Sequence, residues 1–222
     1  MTSRSCVGIA FVLAALAMPG RMAGQSLDEF DYENLSFRGF MLESGYLWAD
    51  NAENTSSLAV RLDLGYLAPG FRLVPGVSYW SSELDRAQLV GLENRLNELI
   101  VARGGAPGTI QLGTIDRRDV AVTLDGSFVW SVPFGLVSFA GAGVSAHFLD
   151  GSGADIDGTF IEDLLDSVQA GVNVHLGLEY SLRDRIRIYG SPKFEVLDDL
   201  QYFELRFGLH LLWGGLAPGE RH

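Results

Sequence analysis

Cysteine is almost absent from this chain of 222 residues: Cys6 is the only one, so no disulfide can form within the chain. Lysine is equally scarce. Lys193 stands alone, and the other basic residues are arginines. Positive charge as a whole is short, with 16 Lys and Arg against 28 Asp and Glu, a formal net charge of -12 and a pI near 4.6. Phosphate backbones are bound by basic surfaces, so this balance argues against a nucleic-acid partner. Long apolar runs are missing after the N-terminus, which excludes a membrane-spanning helix there. The 27 glycines lack the three-residue period of collagen. No solenoid period recurs. Yet hydrophobic residues make up 47% and the mean hydropathy is +0.16, which is high for a chain without such runs.

Residues 1–25 read as a secretory signal peptide. Arg4 supplies the positive start, Val7 to Met18 the apolar stretch, Pro19-Gly20 the break and Ala23-Gly24 the small residues near a cleavage point. The apolar stretch is short for a membrane anchor. Cys6 lacks the apolar-small run of a lipoprotein box before it. Cleavage near Gln25 would remove Cys6, Arg4 and Arg21, and leave a cysteine-free, more acidic chain in an oxidising compartment. Residues 26–34 form a short polar lead, expected in the periplasm.

From Leu35 onward, apolar residues alternate with polar or small ones. Period two is the signature of a strand with unlike faces. The last stretch shows it well: Phe203, Leu205, Phe207, Leu209, Leu211 and Trp213 lie on one side, and Glu204, Arg206, Gly208 and His210 on the other. The same reading gives strands over 57–66, 71–80, 118–130, 134–148, 168–182, 185–196 and 201–213. Leu35–Trp48 is a further strand whose alternation is poor. Arg38, Glu43 and Ser44 do not share a parity, and a bulge near Gly39 is expected to restore the register. Tight turns fall at Pro69-Gly70, Pro133 and Arg183-Asp184.

One insertion breaks the pattern. Between Ser81 and Arg117, Leu89, Leu92, Leu96 and Leu99 recur at helical spacing among charged residues, and Gly104-Gly105 follows. This predicts an amphipathic helix whose leucine stripe is buried against the loop, the barrel mouth or a protein partner.

Eight strands of about ten residues, joined by links that alternate short and long, fit an antiparallel up-and-down transmembrane β-barrel. The helix then falls in the second external loop. The apolar faces hold no charge in the second to eighth strands. Tyr66, Phe71, Trp130, Phe134, Tyr180 and Trp213 fall at the strand ends nearest the short turns, where an aromatic girdle meets lipid headgroups. A soluble barrel would instead turn its apolar face inward.

These features resemble the eight-stranded outer-membrane barrels, the group of the outer-membrane protein A transmembrane domain and the small X- and W-type proteins. The likeness spans residues 35–213. Arg206, Gly208, Leu211 and Trp213 match in order the family's C-terminal signal: polar, any, Gly, any, any, hydrophobic, any, aromatic. That match implies recognition by the barrel-assembly machinery. The chain departs from the pattern in carrying residues 214–222 beyond Trp213, expected as a periplasmic tail. The resemblance implies the bacterial outer membrane as location, with lipopolysaccharide as surroundings and a monomeric barrel.

The inward set is then Arg61, Asp63, Arg72, Asp119, Asp125, His175, Glu179, Arg187, Lys193, Glu195, Glu204, Arg206 and His210. An eight-stranded barrel is just wide enough for its side chains to fill. Such charges must be paired or hydrated, which points to a salt-bridged plug, or to a narrow path for ions or small solutes. Ser145 and His147 share the inward face. A lipid A deacylase of this architecture would need its Ser/His/acid set facing lipid, and its His-any-Ser order is reversed here. The spacing of His175 and His210 is no recognised metal motif. Asp150, Asp155, Asp157, Glu162, Asp163 and Asp166 crowd one loop without EF-hand spacing. No catalytic group, cofactor or metal is assigned. A non-enzymatic scaffold is the leading expectation, a narrow channel or a carrier for small, also apolar, solutes is the alternative, and a lipid A-modifying enzyme comes third.

Overall fold

Alternating sequence becomes alternating orientation, because successive side chains on a strand point to opposite faces. In the computed structural model, residues 35–50, 52–104, 113–153, 167–198 and 200–213 are described. The leader, the lead, the tail and most of the acidic loop (Asp155, Asp157, Glu162, Asp163, Asp166) lie outside these. The strands are β1 (Gly39–Ala49), β2 (Thr55–Asp63), β3 (Tyr66–Ala68), β4 (Phe71–Glu83), β5 (Asp116–Val132), β6 (Leu136–Ser152), β7 (Ser167–Arg183), β8 (Ile186–Val196) and β9 (Gln201–Leu212). Among the described residues one α-helix, α1 (Arg86–Ala102), lies between β4 and β5 in the chain, and a 3-10 turn spans Pro133–Gly135.

The hydrogen-bonded order is β2-β1-β9-β8-β7-β6-β5-β4-β3, every pair named here is antiparallel, and β2 also pairs with β4. The sheet therefore closes on itself. β2 and β3 are two parts of one stave, so eight staves form the barrel. Closure satisfies the backbone of every stave without leaving an edge.

The break between β2 and β3 corrects one expectation. Gly65 adopts φ +76, and its N–H donates to Asp63 Oδ1 at 2.8 Å. This kink shifts the parity, so Tyr66 turns into the lumen and is 5% exposed. Tyr66 is therefore not part of an outer girdle.

β1 corrects another. It pairs with both β2 and β9 in unbroken register from Gly39, so no bulge lies there. Its alternation is regular, with Met41, Glu43, Gly45 and Leu47 inward and Leu42, Ser44, Tyr46 and Trp48 outward. Two apolar residues inside and a serine outside obscure the pattern.

Several strands are longer than the alternation suggests. β4 reaches Glu83, β5 begins at Asp116 and β6 continues to Ser152. Pro192 on β8 lacks an N–H, and the β7–β8 register lapses opposite it. The hydroxyl of Ser191 donates to the Leu176 carbonyl at 2.8 Å instead.

α1 starts at Asp85, whose carboxylate accepts from the Ala87 N–H. Its C-cap is Arg103, and Gly104 just beyond takes φ +83. Leu96 is buried against Ile115, with Leu84, Leu89 and Leu92 packed around it. Leu99 is 54% exposed and does not join that stripe. The packing partners lie around Leu96, and the C-terminal end of the helix runs past them, so Leu99, Ile100 and Val101 are all exposed.

Candidate functional site: a filled lumen

The barrel is inverted relative to a water-soluble fold. Val172, Val174, Leu178 and Phe207 are exposed on its outside, whereas Glu179, Glu195 and His210 are buried completely inside. On β5 the outward run from Val120 to Trp130 is apolar or glycine, about the length that crosses a bilayer with tilt. Beyond it, outward Arg118 faces Asp150 at 4.0 Å, both half exposed. Among the described residues no helix is long and apolar enough to cross a membrane. The crossing is made by strands.

All thirteen charged and histidine residues of the expected inward set are buried. Further polar side chains are buried with them, among them Asn173, Ser127 and Tyr189. Glu43 is hidden in the sequence by the irregular look of β1. His147 shares the inward face with Ser145, as the alternation predicts.

Near the short turns, Arg72 pairs with Glu179 at 2.6 Å, and Arg187 approaches the same carboxylate at 3.5 Å. His210 Nε2 lies 3.1 Å from Asp63. An apolar cluster of Met41, Tyr66, Val74, Val129, Phe139 and Tyr189 fills the space between these and the centre. At the centre Glu43 faces Arg61 and Arg206, each at 3.5 Å, and accepts from Tyr189 Oη at 2.6 Å. Arg61 also pairs with Asp125, to which Asn173 donates at 3.0 Å. His175 contacts Ser127 at 2.8 Å and Asn173 at 3.0 Å.

Towards the long loops, Lys193 bridges Glu195 and Glu204, and Ser57 donates to Glu204. The mouth beyond is stoppered by Leu47, Ala52, Trp80, Leu149, Leu197, Leu200 and Tyr202. Leu197 and Leu200 belong to the β8–β9 link, where the Leu197 N–H donates to the Leu200 carbonyl at 2.8 Å. Both leucines of this short link are buried in the mouth cluster. Alternation gives no sign of that, since turn residues carry no periodicity.

Ser145, His147 and Asp119 stand in the order of a hydrolytic triad. His147 Nδ1 is 2.7 Å from Asp119, and Nε2 is 3.0 Å from Ser145 Oγ. A fourth group changes the chemistry. Ser145 donates to Glu195, whose same oxygen lies 3.2 Å from His147 Nε2. The carboxylate competes with imidazole for the serine proton. Tyr202 donates to the other Glu195 oxygen at 2.9 Å and seals the cluster from the mouth. A nucleophile needs an open approach as well as a base. Among the described residues no group of three or more His, Cys, Asp or Glu is placed to hold a metal.

Of the expected girdle, Phe71 packs edge-on against Phe128 at 5.1 Å, and Tyr180, Phe134 and Trp213 are exposed. Trp130 is half-buried. Of the expected assembly signal, Arg206 is inside, Leu211 and Trp213 face outward, and Gly208 lies under the Tyr189 ring. A Cβ on Gly208 would come within 2.5 Å of that ring, so glycine lets the tyrosine cross towards Glu43.

No family model matches the chain, and no curated protein matches it significantly. Solved structures do. Neisserial surface protein A aligns over 82% of this chain and 100% of its own, with a TM-score of 0.55 at 11% identity. A major outer membrane protein from Thermus thermophilus covers 79% of this chain and 99% of its own, with a TM-score of 0.52 at 16% identity. The N-terminal β-barrel domain of Pseudomonas aeruginosa OprF covers 81% of this chain and 100% of its own, with a TM-score of 0.49 at 10% identity. Together with the closed barrel and its apolar exterior, the first two establish that this chain has the fold of the eight-stranded outer-membrane β-barrels.

Proposed function

We propose that this chain is a monomeric, non-enzymatic scaffold of a bacterial outer membrane, with a closed lumen and loops that meet a protein partner or lipopolysaccharide. The observation that carries the reading is the filling of the lumen. The apolar stopper around Trp80 and Leu200 covers one mouth, and the ion pairs on Glu43, Glu179 and Glu195 occupy the interior. Export by a cleaved signal peptide and insertion by the barrel-assembly machinery go with it. With the short turns in the periplasm, α1 stands outside the cell in the β4–β5 loop. The exposed residues Leu99, Ile100 and Val101 favour that loop as the partner's contact. Low identity to the solved barrels transfers no ligand or task from them.

Vesicles loaded with potassium and a small dye test the reading. The folded chain should leave their efflux at the protein-free rate, and a double variant Trp80→Gly/Leu200→Gly should raise it. Efflux that scales with the amount of unmodified protein would contradict the closed lumen.

A second reading, a narrow gated path for ions or small solutes, has one observation in its favour. Two water-sized voids, about 20 and 10 Å³, both touch Glu43, Arg61 and Arg206. One extends towards Arg72 and Tyr189, the other towards Lys193 and Glu204. Each has room for about one water. Rearrangement of the central ion pairs would join them.

A further inference from the structure

The stopper at the long-loop mouth holds two polar atoms that its apolar packing does not meet. Trp80 and Asp119 stand directly opposite each other on β4 and β5, and Leu149 of β6 stands opposite Asp119 on the other side. One row around the barrel therefore reads Trp80, Asp119, Leu149, with the carboxylate between two stopper residues. Both polar side chains are buried, Trp80 at 2% and Asp119 at 1% exposure. The indole Nε1–H of Trp80 has no hydrogen-bond partner, and neither has Asp119 Oδ1, because His147 takes Oδ2. Buried polar atoms are ordinarily paired, so an unmet donor and an unmet acceptor at one level of the wall point to a group that meets both.

The chain itself fills the mouth at this level. Leu197 and Leu200 lie outside β8 and β9, in the link between them, and their side chains offer apolar bulk without a donor or an acceptor. Beyond the strand ends this link is closed by the bond from the Leu197 N–H to the Leu200 carbonyl.

We infer that the mouth is a binding pocket for a compact apolar molecule bearing one hydroxyl group, and that Leu197 and Leu200 are its built-in competitor. A hydroxyl is a single small group that both donates and accepts. It would donate to Asp119 Oδ1 and accept from the Trp80 Nε1–H. The rest of the ligand would replace the two leucines against Leu47, Ala52, Leu149 and the rings of Trp80 and Tyr202. A volume-conserving exchange sets its size at about eight to ten carbons. Apolar walls with a few placed polar groups are the usual form of a small-molecule site. This goes beyond the scaffold reading and leaves the ion pairs beneath Tyr202 in place, so the lumen stays shut.

The chain is refolded into nanodiscs of phosphatidylcholine. Equilibrium dialysis then compares 2-naphthol with 2-methoxynaphthalene, and empty nanodiscs give the blank for partition into lipid. The 2-naphthol should bind saturably at one site. The methoxy compound cannot donate, and should bind at least about tenfold more weakly. Leu200→Ala removes part of the competitor and should tighten 2-naphthol binding. Trp80→Phe keeps an aromatic wall without the N–H, and should weaken it about three- to tenfold. The shift between unheated and boiled gel samples verifies that each variant is folded. Uptake no greater than in empty nanodiscs, for the parent and Leu200→Ala alike, overturns the pocket. Unchanged affinity in Leu200→Ala overturns the competition. Equal binding of the two naphthalenes, or unchanged affinity in Trp80→Phe, overturns the hydroxyl recognition and would leave the mouth as apolar packing alone.

Discussion

Tyr189 reaches over Gly208 of β9 to donate a hydrogen bond to Glu43 at 2.6 Å, tying β8 to β1, the next stave but one. The same carboxylate faces Arg206 and Arg61, the latter also paired with Asp125, and satisfies a phenol. Glu43→Ala would leave both guanidiniums short of a partner. Breaking a buried pair from one side costs about 3–5 kcal/mol. Tyr189→Phe, which removes one hydrogen bond to a charged group, should cost about 1.5–3 kcal/mol. Urea unfolding in vesicles, followed by tryptophan fluorescence, measures both. A Glu43→Ala variant as stable as the parent would show that the network does not hold the barrel together.

Two glycines give opposite expectations. A Cβ on Gly143 would stand 1.8 Å from Asp125 Oδ1 and 2.8 Å from Asn173 Nδ2, inside the charged network. Gly143→Ala should therefore disrupt the Arg61–Asp125 pair and reduce the folded fraction. On α1, a Cβ at Gly91 would meet nothing within 4 Å. Gly91→Ala should be neutral or stabilising by up to about 1 kcal/mol, from helix propensity. Band shifts between unheated and boiled gel samples report the first, and urea unfolding the second. Equal behaviour of the two would count against the packed lumen.

Ser145 should be chemically quiet. Its hydroxyl donates to Glu195 and is shielded by Tyr202, so a fluorophosphonate should label it only after unfolding. Ser145→Ala should leave the lipid A profile of an expressing cell unchanged. Labelling of the folded barrel, or an altered profile that depends on Ser145, would reopen the hydrolase reading.

The helix depends on one anchor. Leu96→Asp places a charge against Ile115 and Leu84, and should unpack α1 from the ends of β4 and β5. Leu99→Asp, at an exposed position, should not. Hydrogen exchange across residues 86–102 distinguishes them. Faster exchange in both, or in neither, would contradict the packing described.

Most of the barrel is legible in the sequence because a membrane strand writes its two faces in unlike chemistry. β7 shows this best, with Val168 to Leu182 outward against His175 and Glu179 inward. The rule weakens where chemistry crosses over. In β1, Met41 and Leu47 lie inside among polar neighbours and Ser44 lies outside, so alternation alone does not bring Glu43 into the site. At Leu64–Gly65 a backbone kink reverses the parity, and nothing in the alternation announces it. Tyr66 passes to the lumen as a result. Pairings between strands that are not neighbours, such as Arg72 on β4 with Glu179 on β7, depend on stagger around the closed sheet. Local periodicity fixes which face a residue takes and not which residue lies opposite. The stopper is invisible for the same reason, because Leu197 and Leu200 lie in a link between strands.

The central claim is that the lumen is closed, and single-channel recording tests it most directly. The chain is refolded into a planar bilayer in symmetrical salt, with its folding verified by the shift between unheated and boiled gel samples. The ionic network and the stopper predict no stable current steps. Steps that persist and scale with salt would show a water-filled path past Glu43 and Trp80, and would contradict the closed lumen.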